Sequence, residues 1–316
     1  MPLDVKELRM YYDTPVGELK AVDSVSFKLN KGEALGIAGE SGCGKSSLGL
    51  TIMRLLPPNG RILGGAVRLN GENLLEKTEK EMCTIRWKRL SMVFQGAMNA
   101  LTPVLRVGDQ IAEAIRAHEN MGKEEARRQS RKMLSLVGLE EARAESYPHE
   151  LSGGMRQRAM IAMALACNPE LLIADEPTTA LDVVVQAQVL DLLRDLRAKL
   201  GLSLMLISHD VSIVAQVCDL MAVMYAGNFV EYSDTREIFQ NPLHPYTRRL
   251  MAAVPSVKGG RTRLTSILGL PPDLANLPAG CRFNERCVVA EEMCKTEEPV
   301  LTEVRKKHFV ACHLVK

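Results

Sequence analysis

The sequence has almost no excess of charge. Its 40 basic and 38 acidic residues leave a formal charge of +2 over 316 residues, so composition offers no basic face for nucleic acid and no polybasic patch for a membrane. Long apolar runs are missing too. Stretches such as AMIAMALAC reach about half of the roughly 20 residues that a spanning helix needs. If the protein works at a membrane, another chain supplies the spanning part. The amino end, MPLDVKELRMYYDTP, has neither the apolar centre of a signal peptide nor the Arg/Ser bias of a transit peptide, which sets the expectation of a cytoplasmic chain. There is no internal repeat and no low-complexity tract. What remains is an ordinary globular composition at a length that suits two domains.

Alternation in LDVKELRM and VDSVSFKLN, with turn signals at Thr14–Gly17 and Asn30–Gly32, predicts an antiparallel edge of short strands. ALGIAG reads as a buried strand entering a glycine-rich turn, KSSLGLTIMRLL as a helix from Lys45 to Leu56 that stops at Pro57-Pro58, and GGAVRLNG as another strand. Between Val107 and Cys167 the pattern is helical. LLIAD, LMLIS and LMAVMYAG then alternate with the helical VVVQAQVLDLLRDLRAKL. Buried strands alternating with helices imply a parallel α/β sheet with a helical subdomain inserted at about 96–166. Beyond about Thr235 the chain is rich in proline, glycine and cysteine, which predicts a separate loop-rich appendage over 236–316, after a main domain at 1–235.

GESGCGKS, Gly39 to Ser46, fits the phosphate-loop pattern G-x-x-x-x-G-K-[ST] between a strand and a helix. Gly39, Ser41, Gly42, Cys43, Gly44, Lys45, Ser46 and Ser47 form the expected cradle, its backbone N–H groups and the helix amino end facing the phosphates of ATP. Lys45 reaches the β- and γ-phosphates, and Ser46 ligates Mg²⁺. Cys43 occupies a position that the pattern leaves free. LLIADE ends in two carboxylates that strand alternation turns opposite ways, so they take different roles. Asp175 suits the metal, and Glu176 suits the attacking water as general base. His209 closes the strand LMLIS at the sheet end where ligands bind, which makes it a candidate γ-phosphate contact.

LSGGMRQR places Ser152, Gly153 and Gly154 at the start of a second helix, a second anion-binding amino terminus far from the first in sequence. Two phosphate-binding surfaces on one chain suggest two subunits head to tail with ATP between them. With these motifs in this order, the chain resembles an ATP-binding cassette (ABC) transporter ATPase along essentially its whole length. The resemblance implies a RecA-like P-loop core with an antiparallel β subdomain and an inserted helical subdomain. It implies that Tyr12, rather than Tyr11, stacks on adenine, that Gln95 in MVFQG touches magnesium and water beside the membrane subunits, and that Asp182 in TTALD crosses the dimer interface. Thr179 stands where the family usually has serine.

YPHELSGGMRQR and NPLHPYTRRLMAAVP resemble the oligopeptide and dipeptide importer ATPases; other members of that branch import oligosaccharides or nickel. The resemblance implies a subunit on the cytoplasmic face of the membrane, held by two permeases, paired with a sister ATPase and fed by an external solute-binding protein. The rival reading is a soluble ABC ATPase acting on DNA or ribosomes. The chain lacks the long coiled-coil insertion, second cassette and basic cluster of such proteins, so no nucleic-acid partner is expected.

Four of the eight cysteines, Cys281, Cys287, Cys294 and Cys312, fall in the tail at intervals of five, six and seventeen residues. In a reducing cytoplasm structural disulfides are not expected, and so short a segment offers no core of its own to fill. Core filling suits Cys83, Cys167 and Cys218 instead. Four thiolates suit a [4Fe-4S] cluster or a structural zinc, and the intervals lack the close C-x₂₋₄-C pairs usual for zinc. The importer ATPases that this tail resembles are implied to carry an iron-sulfur cluster in some members. His308 and His313 flank the last cysteine as substitute ligands.

Overall fold

Strands that are apolar at every position belong to a sheet covered on both faces, and ALGIA, LLIAD and SLMLIS are buried throughout. In the computed structural model, which describes residues 3–96, 100–253, 267 and 269–315, they form β3 (Ala34–Ala38), β7 (Leu171–Asp175) and β8 (Ser203–Ser208). With β6 (Leu90–Val93) and β9 (Leu220–Tyr225) they make a parallel core in the order β9-β3-β8-β7-β6. Alternate side chains enter opposite cores: Leu35, Ile37, Ile173 and Ile207 on one face, Ala34, Ala38, Ala174 and Leu206 on the other.

The first face is covered by α1 (Lys45–Met53) and a second, antiparallel sheet in the order β2-β1-β4-β5. Its strands are β1 (Leu3–Thr14), β2 (Gly17–Leu29), β4 (Gly60–Leu69) and β5 (Glu72–Asn73). The first two form one long hairpin, turning where Thr14 faces Gly17. Helix α1 ends at Met53, short of the predicted Leu56, because Arg54 turns left-handed at φ 51° and its N–H closes on the carbonyls of Leu50 and Thr51. The short α2 (Glu79–Ile85) buries Met82 and Ile85. That leaves Cys83 exposed, so it does not fill the core, whereas Cys167 and Cys218 are buried as expected.

The helical insertion contains α3 (Val107–His118), α4 (Lys123–Leu136) and α5 (Gly153–Ala164), which pack on the second face with α6 (Val183–Leu200) and α7 (Val211–Val217). Among the described residues no helix is long and apolar enough to cross a membrane.

The tail is less separate than its composition suggests. After β10 (Asn228–Asp234) come α8 (Thr235–Gln240), α9 (Pro245–Ala252), α10 (Met293–Thr296), β11 (Thr302–Arg305) and β12 (His308–Val310). Strand β10 would otherwise leave an open sheet edge. Instead β12 pairs with it and β11 with β12, which carries the main sheet outward. Glu231, fully buried in β10, ties this junction together. It accepts the N–H groups of Leu243 (2.8 Å) and His244 (2.9 Å) and bonds His308 Nε2 (2.7 Å). Tyr225 of β9, Tyr246 of α9 and Phe283 form an aromatic knot, with ring centroids 4.6 to 5.4 Å apart. The tail thus shares the cassette's core.

Candidate active site

Parallel strands end together, and the loops at their carboxyl ends carry the chemistry. Ala38 pairs with Ser208, and Asp175 with Ile207, so the turns after β3, β7 and β8 open on one edge. Gly44 caps α1 at φ 107°, and a Cβ there would stand 2.0 Å from the Ala21 carbonyl oxygen, a position only glycine fills. Buried Lys45 donates from Nζ to the carbonyls of Gly39 (2.9 Å) and Glu40 (2.8 Å). Ser46 Oγ donates to Asp175 Oδ1 at 3.0 Å, which joins two of the three expected magnesium ligands across the sheet edge, while Gln95 is turned to Glu176.

Glu176 is the hub of a second group. Its Oε1 meets His209 Nδ1 at 2.9 Å; its Oε2 accepts from Gln95 Nε2 at 3.1 Å and from Thr179 Oγ1 at 2.9 Å. Its backbone takes φ 45°, a strained value for a non-glycine residue, held by its N–H on the Ile207 carbonyl at 2.9 Å. The adjacent carboxylates are driven apart. Burial, opposed by the Ser46 hydrogen bond, pushes Asp175 above its ordinary range, with the Glu176 charge adding to the rise. Burial also pushes on Glu176, but hydrogen bonds from His209 and Thr179 and the charges of His209 and Lys45 outweigh it and hold that carboxyl low. Burial raises the Cys43 thiol against the pull of Lys45, which makes it a packed thiol rather than a reactive one.

Tyr12 Oη donates to Ser47 Oγ at 3.1 Å, beside the start of α1, whereas Tyr11 turns away to Asp23 Oδ1 at 2.8 Å. At the second helix Ser152 is the N-cap, its hydroxyl accepting the Met155 N–H at 3.3 Å, with Gly153 and Gly154 following. A Cβ on Gly154 would lie 2.5 Å from Val185 Cγ1. The start of α5 therefore packs against the start of α6, where Asp182 Oδ1 accepts the N–H groups of Val184 (3.1 Å) and Val185 (2.9 Å). Two helix amino termini stand side by side, flanked by exposed Val183 and Val184.

In the tail all four cysteines are free thiols. Cys281 N–H donates to the Cys294 carbonyl at 2.8 Å, which closes the turn between them. Burial pushes Cys281 up to about 11, and the charges of Cys294, Cys312 and Cys287 add to the rise. Cys312 is raised by burial and then by Cys287 and Cys294, so the four sit within charge reach of one another. Among the described residues, however, no three His, Cys, Asp or Glu side chains are grouped to hold a metal ion. The two histidines are turned elsewhere: His308 bonds Glu231, and His313 Nε2 bonds the Glu297 carbonyl at 2.9 Å.

Motif reading passed over two residues around this edge. Thr179, noted only for its departure from serine, donates to Glu176. Glu40, inside the phosphate loop, gives its N–H to Tyr246 Oη at 3.0 Å and its carboxylate to Arg286. No local pattern signals the Glu40 contacts, because their partners lie more than 200 residues downstream.

Known proteins resemble this chain over nearly its whole length. The family described as ABC transporter matches residues 22–179, and the family described as oligopeptide/dipeptide transporter, C-terminal region, matches residues 230–294. The chain is 48% identical to a probable peptide ABC transporter ATP-binding protein, y4tR, of Sinorhizobium fredii, over 98% of this chain and 94% of that one. It is also 48% identical to the oligopeptide transport ATP-binding protein OppD of Escherichia coli, over 98% and 92%. Among solved structures, the dimeric post-hydrolysis state of the ATP-binding cassette MJ0796 bound to ADP and Pi aligns with a TM-score of 0.66 at 28% identity, covering 74% of this chain and 99% of that one. The chain belongs to the ABC transporter family of ATP-binding subunits, in the branch that carries the oligopeptide/dipeptide transporter C-terminal region.

Proposed function

We propose that this chain hydrolyses ATP to power the import of peptides through a multi-subunit transporter. The observation that carries the reading is the joining of Ser46 to Asp175 and of Gln95, Thr179 and His209 to Glu176 at one sheet edge beside the phosphate loop. Lys45 and the loop amides bind the phosphates. Ser46 and Asp175 are oxygen donors suited to the magnesium ion that accompanies ATP, which when bound neutralises charge across the β- and γ-phosphates. Glu176 accepts a proton from the attacking water as the water oxygen bonds to the γ-phosphorus and the bond to the β-phosphate oxygen breaks. His209 and Gln95 orient that carboxylate. Tyr12 holds the base, and Ser152, Gly153, Gly154 and Asp182 face the nucleotide of a second ATPase subunit.

The tail supports a second part of the reading. Four free thiols, Cys281, Cys287, Cys294 and Cys312, with the flanking histidines bonded elsewhere, are a donor set that a [4Fe-4S] centre would use. The chain sits at the cytoplasmic face of the membrane, with two transmembrane permeases, a sister ATPase and an external binding protein as partners. The test is reconstitution of this chain with the permease pair of an oligopeptide importer in vesicles holding internal ATP, with uptake of labelled peptides as readout. Peptide-dependent uptake that vanishes with Lys45→Ala is expected. ATP hydrolysis without coupled uptake of any peptide would reject the importer reading. Anaerobic purification with an iron and sulfide assay checks the tail, where a colourless, iron-free protein would remove the cluster.

A further inference from the structure

Glu40 is an anomaly in its setting. It is the sole acid within GESGCGKS, and a carboxylate beside a phosphate cradle repels the ligand that the cradle binds. The structure meets this charge from the tail. Arg286 Nη1 donates to Glu40 Oε2 at 2.6 Å and Nη2 to Oε1 at 2.9 Å, a two-pronged pair whose arginine side chain is 5% exposed. The guanidinium is itself seated on β9: it donates to Tyr225 Oη at 3.2 Å and lies 5.7 Å from the Tyr225 ring centroid. Tyr246, also from the tail, accepts the Glu40 N–H at 3.0 Å. Both ends of the Glu40 residue are therefore held by the C-terminal extension, while its carbonyl accepts from Lys45.

We propose that Arg286 is a positioning residue of the ATP site, which cancels the charge of Glu40 so that the C-terminal extension sets the affinity of the phosphate loop. Arg286 is fastened to the Glu40 carboxylate and acts through it. The pair spans 246 residues, so the nucleotide site of this chain is complete only when the tail is docked. Cys287 follows Arg286 directly, which puts the cysteine turn one peptide away from the loop's counter-charge. The inference rests on ATP binding at this loop, which the parent chain's own affinity and its loss in Lys45→Ala check separately.

Charge compensation moves affinity in opposite directions in the two single variants, whereas simple structural support would weaken binding in both. Dissociation constants of a non-hydrolysable ATP analogue are measured with magnesium on the purified full chain and its variants. Arg286→Ala leaves Glu40 uncompensated and weakens binding about tenfold, the scale of one unit charge at roughly 10 Å in a partly screened site. Glu40→Gln removes one negative charge from the edge of the cradle and tightens binding severalfold. The double variant returns to within about threefold of the parent, because the net charge is restored. Raising the salt concentration shrinks all these differences. Arg286→Lys keeps the charge and holds affinity better than Arg286→Ala, which preserves the test if the alanine variant folds poorly. Weaker binding in Glu40→Gln, or a double variant no better than Arg286→Ala, would overturn the proposal. So would an Arg286→Ala chain that binds the analogue as well as the parent.

Discussion

The sheet edge and the cysteine tail both gather reactive side chains, and they leave those side chains in opposite electrostatic states. At the edge, Glu176 is surrounded by donors, and hydrogen bonds and positive charge outweigh burial to favour its ionised form. In the tail, burial raises Cys281, Cys287 and Cys312 and outweighs the backbone N–H groups that pull them down. At the edge only Glu176 is held low, since burial pushes the adjacent Asp175 upward. The tail would hold thiolates only if a positive centre entered, which is the usual logic of a metal-dependent module.

The sharpest way to break the comparison is at Glu176. Glu176→Gln keeps the shape and the Gln95 and Thr179 neighbours but removes the base. The expected result is a fall in kcat of about 10² to 10⁴, with ATP binding retained and an ATP-dependent dimer accumulating. Single-turnover hydrolysis and size-exclusion chromatography in ATP read the two effects. Turnover within about tenfold of the parent would take the general base away from Glu176.

The seam between the two regions supplies the next effect. Arg282, beside Cys281, donates to Asp23 Oδ2 and to the Ala226 carbonyl at 2.6 Å, with only 9% of its side chain exposed. Asp23 is pushed up by burial, but Tyr11 and Arg282 reverse the shift and bring it below its ordinary value. Arg282→Ala leaves that carboxylate with the Tyr11 hydroxyl and the more distant Arg9 as partners, at a cost of about 2 kcal/mol and roughly 3 °C in Tm. Because the folded value is depressed, the stabilisation is present above the unfolded carboxylate range and is lost as pH falls through the folded value. The gap in Tm between parent and variant should therefore narrow in acid. A variant that melts with the parent at neutral pH would show that the seam is held elsewhere.

The same contrast explains what the sequence disclosed. GESGCGKS, LLIADE and LSGGMRQR are legible because each motif is fixed by a strand end or helix start within a few residues. Unbroken apolar runs likewise marked β3, β7 and β8. The tail was harder, because its order comes from distant partners. Proline and glycine announced loops, yet His308 and Glu231 pull β12 onto the main sheet. Cys83 read as core because so short a helix gave too little periodicity to tell its faces apart, and it is exposed. Glu40 looked like an arbitrary residue within its motif until Arg286 came to meet it. Burial of a charge is a property of two chain segments, and one segment's sequence does not show it.

The smallest expected effect lies in the tuning of Glu176 itself. Its carboxyl is raised by burial and then brought below the ordinary 4.5 mainly by the His209 hydrogen bond, with the Thr179 hydrogen bond next. A lowered value keeps the base ionised to lower pH, so hydrolysis should persist on the acid side. His209→Ala removes the first of those influences and Thr179→Val the second, and each moves the acid limb of kcat to higher pH, the valine variant by less. Thr179→Ser keeps the hydroxyl and should leave the limb in place, since serine and threonine present the same donor to Oε2 at this position. The measurement is a pH profile of single-turnover hydrolysis at saturating ATP, where a limb position reports the ionisation of the bound state. A limb that stays fixed in both His209→Ala and Thr179→Val would mean that the acid limb belongs to another group, and the hydrogen bonds to Glu176 would then serve only to aim it.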